Sequence, residues 1–155
     1  MLSCVTTIAR SVLDVFNDLY AMFGRETYCR LFPVILTDRG SEFSNPVPIE
    51  QDENDELRSL VFYCNPSAPY QKGGIEVAHE LVRRVLPKGK SFDDLQQEDI
   101  DLMLSHINSY KRGKLNSRSA YQLFNFIYGD DILPKLNIHE IEPNDIVLSP
   151  KLLKK

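Results

Sequence analysis

The spacing of apolar residues along the first half of the chain predicts one helix followed by two short strands. Apolar residues recur at steps of three and four from Val5 to Phe23, which places them on one helical face, and Gly24 is the predicted end of that helix. Val34 to Thr37 and Leu60 to Cys64 are short, nearly continuous apolar runs typical of buried strands. We expect the first strand to be central in its sheet, with both faces covered.

Three further helices are predicted in the second half of the chain. The first runs from about Ile75 to Leu86, and the second lies near Gln97 to Tyr110. Ser119 is the predicted N-cap of the third, which ends at Gly129 because glycine commonly follows the last helical residue. The pattern therefore changes from mixed helix and strand to mainly helix along the chain.

Composition and charge restrict the class of protein. The chain has 155 residues, 43% hydrophobic and 26% charged, which is ordinary for one globular domain. Its net charge of −4 is not that of a free-standing DNA-binding protein, so any contact with DNA must be local. Three cysteines without metal-ligand spacing favour reduced thiols. The sequence has neither a long apolar segment nor an export leader, and we expect no membrane span.

Two acidic residues occupy positions where carboxylates from a strand and a helix can meet. Asp38 directly follows the first strand, and Glu76 lies in the first turn of the helix that follows the second strand. This spacing allows both carboxylates to reach one edge of a sheet, although Glu76 also fits an ordinary acid that the helix dipole favours. The acidic segment from Glu50 to Glu56 is interpreted as a solvated loop or short helix, because clustered like charges repel.

Basic residues concentrate beside Glu76. Between positions 72 and 90 five basic residues stand against two acidic ones, a net charge of +3. The basic residues are Lys72, Arg83, Arg84, Lys88 and Lys90. They form either a phosphate-contacting strip or a solvated helix face on which Glu80 pairs with Arg84. The loop of residues 111–114 has the same two interpretations, as a DNA contact or a solvated connector.

Three motifs together carry a family resemblance. They are Thr37 to Phe43, Tyr63 to Pro66, and Gln71 to Glu76 with the following Leu86 to Gly89. They resemble the integrase-type catalytic core of bacterial insertion-sequence transposases, most closely the insertion-sequence thirty family, and the resemblance runs from about Val12 to the C-terminus. It implies an α/β fold: a partial ribonuclease H-like fold that lacks its first strands and is followed by C-terminal helices. The incomplete catalytic core would occupy residues 1–128, and a C-terminal extension residues 129–155.

The resemblance also implies a chemistry. In that family an Asp-Asp-Glu triad binds two magnesium ions for phosphoryl transfer on DNA, and Asp38 and Glu76 match the second Asp and the Glu. Both residues would then be catalytic and metal-ligating. The first Asp would lie on a strand before the first helix, so we expect no equivalent in this chain. We therefore expect a truncated transposase that is inactive alone.

The implied partner is DNA, both transposon ends and target DNA, and intact transposase or a second copy of the chain is a further expected partner. The residues expected to bind DNA are Gln71, Lys72, Arg83, Arg84 and Lys88. The expected location is the cytoplasm, in association with the nucleoid and without a membrane. Two alternatives remain open: a non-catalytic module that binds DNA or transposase, and an inert remnant that exposes apolar faces and aggregates.

Overall fold

The computed structural model describes residues 2–65, 73–89 and 95–153. The chain forms two compact units, Met1–Gln71 and Lys72–Lys155, and each contains helices and strands. The α/β class is therefore confirmed as a mixture of both element types. The predicted boundary at residue 128 falls inside the second unit and stays a prediction. No helix in the described ranges is long and apolar enough to cross a membrane.

The first unit begins with helix α1, Leu2–Leu31, which is kinked at Gly24. Gly24 has φ 73° and ψ 163°, a conformation that essentially only glycine adopts. The sequence predicts that the helix ends at Gly24. Helical geometry is broken there, but the chain resumes it after the kink and continues as helix to Leu31. Beyond the kink Tyr28 is fully buried, and its ring centroid lies 5.2 Å from that of Tyr20 and 5.1 Å from that of Phe32.

The two predicted strands form a parallel pair. Strand β1 is Val34–Thr37 and strand β2 is Leu60–Tyr63, and the register places Val34 opposite Leu60. The Cys64 N–H donates to the Thr37 carbonyl oxygen at 2.8 Å, which continues the pairing beyond β2. The sequence therefore predicts both strands correctly, to within one residue at the end of β2.

One face of this sheet is apolar and exposed. The residues that alternate onto it are Val34, Leu36, Leu60 and Phe62, with exposed fractions of 54, 42, 42 and 52%. The prediction that both faces of β1 are covered is therefore wrong for the part of the chain that the structure describes. An apolar run shows that a strand is suited to burial, but it does not show which element is available to cover it.

The connection between the strands is held by a buried arginine. It contains the short helix α2, Val47–Glu50, and Arg58, whose residue surface is only 4% exposed. Arg58 Nε donates to the Ile49 carbonyl oxygen at 3.0 Å, and Nη2 donates to Asn17 Oδ1 and to the Pro48 carbonyl oxygen, each at 2.8 Å. Arg58 therefore joins α1, α2 and the start of β2.

The acidic segment before Arg58 is an ordered turn. Asp52 accepts hydrogen bonds from the Tyr20 hydroxyl at 2.8 Å and from Arg25 Nη1 at 3.0 Å. The hydrogen bond from Tyr20, and then that from the Asn54 N–H, hold the pKa of Asp52 below its ordinary value. The segment is a loop, one of the two predicted forms, and Glu53, Asp55 and Glu56 are exposed as expected. Asp52 is the exception: its side chain is only 6% exposed, because residues of α1 bind it.

The second unit has a core between two helices, α3, Gly73–Val85, and α4, Gln97–Ser109. The buried side chains of this core are Leu81, Val85, Leu86, Met103 and Ile107. Leu81 and Val85 are four residues apart on α3, as are Met103 and Ile107 on α4, and Leu86 directly follows α3. The sequence therefore predicts both helices, whereas their packing on each other is seen only in the structure.

A two-stranded hairpin follows α4. Its strands are β3, Lys111–Arg112, and β4, Arg118–Ser119, and they pair antiparallel. Ser119 then caps helix α5, Ala120–Tyr128: Ser119 Oγ accepts from the Gln122 N–H at 3.1 Å, and Gln122 Oε1 accepts from the Ser119 N–H at 3.3 Å. The predicted cap is confirmed, and Gly129, with φ 96°, ends the helix as predicted.

Buried polar side chains on α4 hold the C-terminal segment. Ser105 Oγ accepts from the His139 N–H at 3.1 Å, Ser109 Oγ accepts from the Ile141 N–H at 2.9 Å, and His106 Nδ1 accepts from the Val147 N–H at 3.1 Å. Short 3-10 turns, Leu133–Leu136 and Pro143–Asp145, shape this segment. Its backbone is therefore fixed by hydrogen bonds to one side of α4.

Candidate functional site

Asp38 lies at the carboxyl end of β1, at the start of a tight turn. It is exposed, and Oδ1 accepts from the Gly40 N–H at 3.4 Å. A Cβ atom placed on Gly40 would lie 2.6 Å from the carboxylate of Glu42, so this carboxylate folds back over the turn. The turn therefore presents the acid predicted from sequence, Asp38, and a second acid, Glu42, which sequence reasoning did not single out.

The end of β2 is tied to the same turn. The Tyr63 hydroxyl donates to the Phe43 carbonyl oxygen, in the 3-10 turn Ser41–Phe43. A shallow depression lies beside this contact and is lined by Arg39, Gly40, Ser41, Ser44, Pro46 and Tyr63. The carboxyl ends of both parallel strands thus meet at one small surface that carries Asp38 at its edge.

Glu76 lies in the first turn of α3 and is exposed. Farther along the helix Glu80 Oε1 accepts from Arg84 Nη2 at 2.6 Å, and this hydrogen bond raises the pKa of Arg84 above its ordinary value. The predicted pairing of Glu80 with Arg84 is confirmed. Arg83 and Lys88 are exposed, whereas Gln71 and Lys72 lie outside the described residues.

The two predicted metal ligands belong to different units. Asp38 is in the first unit and Glu76 in the second, and their convergence stays a prediction. Within residues 2–65, 73–89 and 95–153, no group of three or more His, Cys, Asp and Glu side chains has the geometry of a metal site. Asp38 and Glu76 are each an exposed carboxylate, and carboxylate oxygen is the kind of ligand that proteins use for magnesium, with water and substrate phosphate supplying the other oxygens.

A groove in the second unit brings together two basic segments that are distant in sequence. It is lined by α3, through Val77, Glu80, Leu81 and Arg84, and by residues 110–115 of the hairpin. Its volume is about 450 Å³, and it carries four basic side chains and one acidic side chain. We call it the basic groove. Both basic segments are visible in the sequence, but α4 lies between them along the chain, so the sequence does not show that they are close in space.

Comparison with known proteins gives partial matches to transposases of insertion sequence elements and to a protein named as an integrase. The transposase for insertion sequence element IS1086 of Cupriavidus metallidurans is 35% identical over 41% of this chain and 19% of its own length. A protein of Spiroplasma virus SpV1-R8A2 B that is named as an integrase, ORF3, is 33% identical over 58% of this chain and 27% of its own. Transposase InsI for insertion sequence element IS30A of Escherichia coli K12 is 27% identical over 41% of this chain and 16% of its own length.

The resemblance to insertion-sequence transposases is confirmed. The chain spans less than a third of the length of these transposase and integrase relatives. No protein-family model matches the chain. No solved structure matches it either.

Proposed function

We propose that this chain functions in DNA transposition, as part of a transposase-type protein that cleaves and joins DNA by metal-dependent phosphoryl transfer. The observation that carries the proposal is the similarity to transposases of insertion sequences and to a viral protein named as an integrase. A partial ribonuclease H-like fold is part of the proposal, and the parallel pairing of β1 with β2 supports it.

Asp38 and Glu76 are the proposed metal ligands and catalytic residues. Magnesium, when bound, would supply activation of an attacking water or 3′-hydroxyl and stabilisation of the leaving oxygen of a phosphodiester. The chain's own contribution is to place oxygen ligands: β1 delivers Asp38 at its end, and the Gly40 N–H orients the carboxylate. The first turn of α3 positions Glu76.

The proposed DNA contacts are electrostatic. Arg83, Arg84 and Lys88 lie on or directly after α3, and with Gln71 and Lys72 they would contact phosphates on either side of the reacting bond. Such contacts neutralise the backbone without reading its sequence. The salt bridge to Glu80 fixes the guanidinium of Arg84 in one orientation, which reduces the entropy lost when it binds a phosphate.

Metal uptake tests the proposed ligands. Wild type, Asp38→Asn and Glu76→Gln are titrated with Mn²⁺ by electron paramagnetic resonance. Each substitution is expected to weaken Mn²⁺ binding by more than about tenfold, because it removes one oxygen ligand. Glu53→Gln and Glu98→Gln, at exposed acids elsewhere in each unit, are the controls. Metal binding that is unchanged in both site variants would contradict these roles.

A second candidate function is metal-independent binding of DNA, which the basic groove favours. Its four basic side chains lie on α3 and in residues 111–114, and none of them needs a metal ion to bind a phosphate. Gel shifts in the presence of EDTA, together with the Mn²⁺ titration of wild type, distinguish the two functions. DNA binding that persists in EDTA, in a chain that takes up no Mn²⁺, supports the binding module.

A further inference from the structure

The basic groove has the properties of a site for an unpaired nucleic-acid strand. We propose that it binds a single strand of DNA, with phosphates on its basic side chains and a base on Tyr110. The proposal rests on the proposed function, since it names the form of DNA that this unit takes. It adds the hairpin residues Tyr110, Lys111, Arg112 and Lys114 to the DNA-contacting surface.

The charge of the groove is opposite to that of the chain. Arg84, Lys111, Arg112 and Lys114 stand against Glu80 alone, which gives the groove a net charge of +3 in a chain of net charge −4. Lys111 and Lys114 are exposed on the hairpin. Their ammonium groups are therefore available to phosphate oxygens, and neutralising phosphates is the main source of affinity for nucleic acid.

The groove also offers an aromatic and apolar surface. Tyr110 is 38% exposed and lies at its wall, beside the aliphatic side chains of Val77, Leu81 and Leu115. Single strands bind where basic residues follow the backbone and aromatic rings stack with bases. A duplex keeps its bases stacked inside, so it would use the charges of this surface and leave Tyr110 without a partner.

The dimensions favour the same ligand. At about 450 Å³ the groove has the volume of a small-ligand pocket, which suits a short nucleotide segment. Arg112 is held at the groove by its Nη2, which donates to the Ile107 carbonyl oxygen at 3.4 Å.

The test is fluorescence anisotropy of the full chain with a labelled 12-nucleotide single strand and with the duplex of the same sequence, both in EDTA. Lys111→Gln combined with Lys114→Gln is expected to weaken single-strand binding on the order of tenfold and to flatten the slope of log K against log [salt] by about 1.4. Tyr110→Ala is expected to weaken it about tenfold, whereas Tyr110→Phe keeps the ring, loses only the hydroxyl that interacts with Arg84, and should weaken binding much less.

Lys135→Gln combined with Lys151→Gln is the matched control, because both lysines are exposed in the same unit and outside the groove. It should bind more tightly than the hairpin double variant, and circular dichroism verifies that all variants are folded. If the hairpin variant binds the single strand as the control does, or if wild type binds only duplex, the groove proposal is overturned while the proposed function stands. If wild type binds neither form of DNA, both are overturned.

Discussion

The side chain of Arg58 shows how much of the first unit depends on one residue. Its guanidinium is buried, donates to three acceptors on α1 and α2, and lies 5.1 Å from the ring centroid of Tyr20. A guanidinium can serve acceptors in several directions within one plane, whereas the ammonium of lysine is a single point charge. The shape of this group is therefore required as well as its charge.

Arg58→Lys is expected to lower the free energy of unfolding by about 2 to 4 kcal/mol, because buried acceptors lose a charged donor. Urea denaturation followed by circular dichroism measures the change. Arg39→Lys, at an exposed arginine of the same unit, is the control and should stay within about 0.5 kcal/mol of wild type. Equal stability of the two variants would show that the buried hydrogen bonds of Arg58 contribute little.

His106 makes the stability of the second unit depend on pH. Burial lowers its pKa below the ordinary value of 6.5, and the nearby charge of Asp145 opposes this only in part. Below pH 6.5 His106 is therefore protonated in the unfolded chain more readily than in the folded chain. Its contribution to stability is present above pH 6.5 and is lost as the pH falls toward the lowered pKa of the folded state.

The measurement is the free energy of unfolding at about pH 7.5 and about pH 5.5. Wild type is expected to be less stable at the lower pH. His106→Asn keeps an acceptor for the Val147 N–H but does not titrate, so its loss of stability should be smaller. His139→Asn, at an exposed histidine, should retain the wild-type dependence. If His106→Asn loses as much stability between the two pH values as wild type does, the pH dependence arises from other groups.

At the scale of elements, the kink in α1 requires a backbone conformation that essentially only glycine adopts. Gly24 has space around it, since no heavy atom lies within 4 Å of a Cβ built there, but its backbone has φ 73° and ψ 163°. Gly24→Ala is therefore expected to destabilise the chain by about 1 to 3 kcal/mol through backbone strain alone. Thermal unfolding followed by circular dichroism measures it.

Gly74→Ala is the matched control for this prediction. Gly74 also has open space around its Cβ position, but it lies in helix α3. Alanine should stabilise that helix by about 0.5 to 1 kcal/mol, because it loses less backbone entropy on folding. If the two substitutions change stability in opposite directions, backbone conformation and not crowding is the cause. A change in the same direction would contradict that explanation.

Local signals explain which elements the sequence predicts. The cap at Ser119 and the helix end at Gly129 each depend on residues within one or two turns, and both predictions are confirmed. At Gly24 the sequence indicates the break in the helix but not that the helix resumes beyond it. The contacts of Arg58 and the basic groove instead join residues about 10 to 40 positions apart. Neither periodicity nor capping rules predict such contacts, because the contacts depend on how helices and strands pack together after they have formed.

At the scale of the whole molecule, the exposed apolar face of the β1–β2 sheet governs behaviour in solution. Its four side chains form a contiguous patch of the kind that binds dyes and promotes association. The chain is expected to enhance the fluorescence of anilinonaphthalene sulfonate and to self-associate at high concentration. Leu36→Thr with Phe62→Thr should reduce both effects, because threonine keeps strand propensity without apolar bulk.

Ile35→Thr is the control for this face. Ile35 is partly buried on the opposite side of β1, so the substitution should lower stability without reducing dye binding. Size-exclusion chromatography and dye fluorescence of the three proteins are compared at equal concentrations. Association that persists in the double variant would place the interacting surface elsewhere.

The parallel register of β1 and β2 also has a consequence for the rate at which the chain reaches its native state. Val34 pairs with a residue 26 positions later, so no hairpin can start the ladder, and the ends of a long loop must meet first. The backbone hydrogen bonds within helices α3, α4 and α5 join residues four positions apart, so these helices can form without closing a long loop. In a stopped-flow refolding experiment the ladder should therefore form in the slow phase, after the bulk of the helical ellipticity has returned.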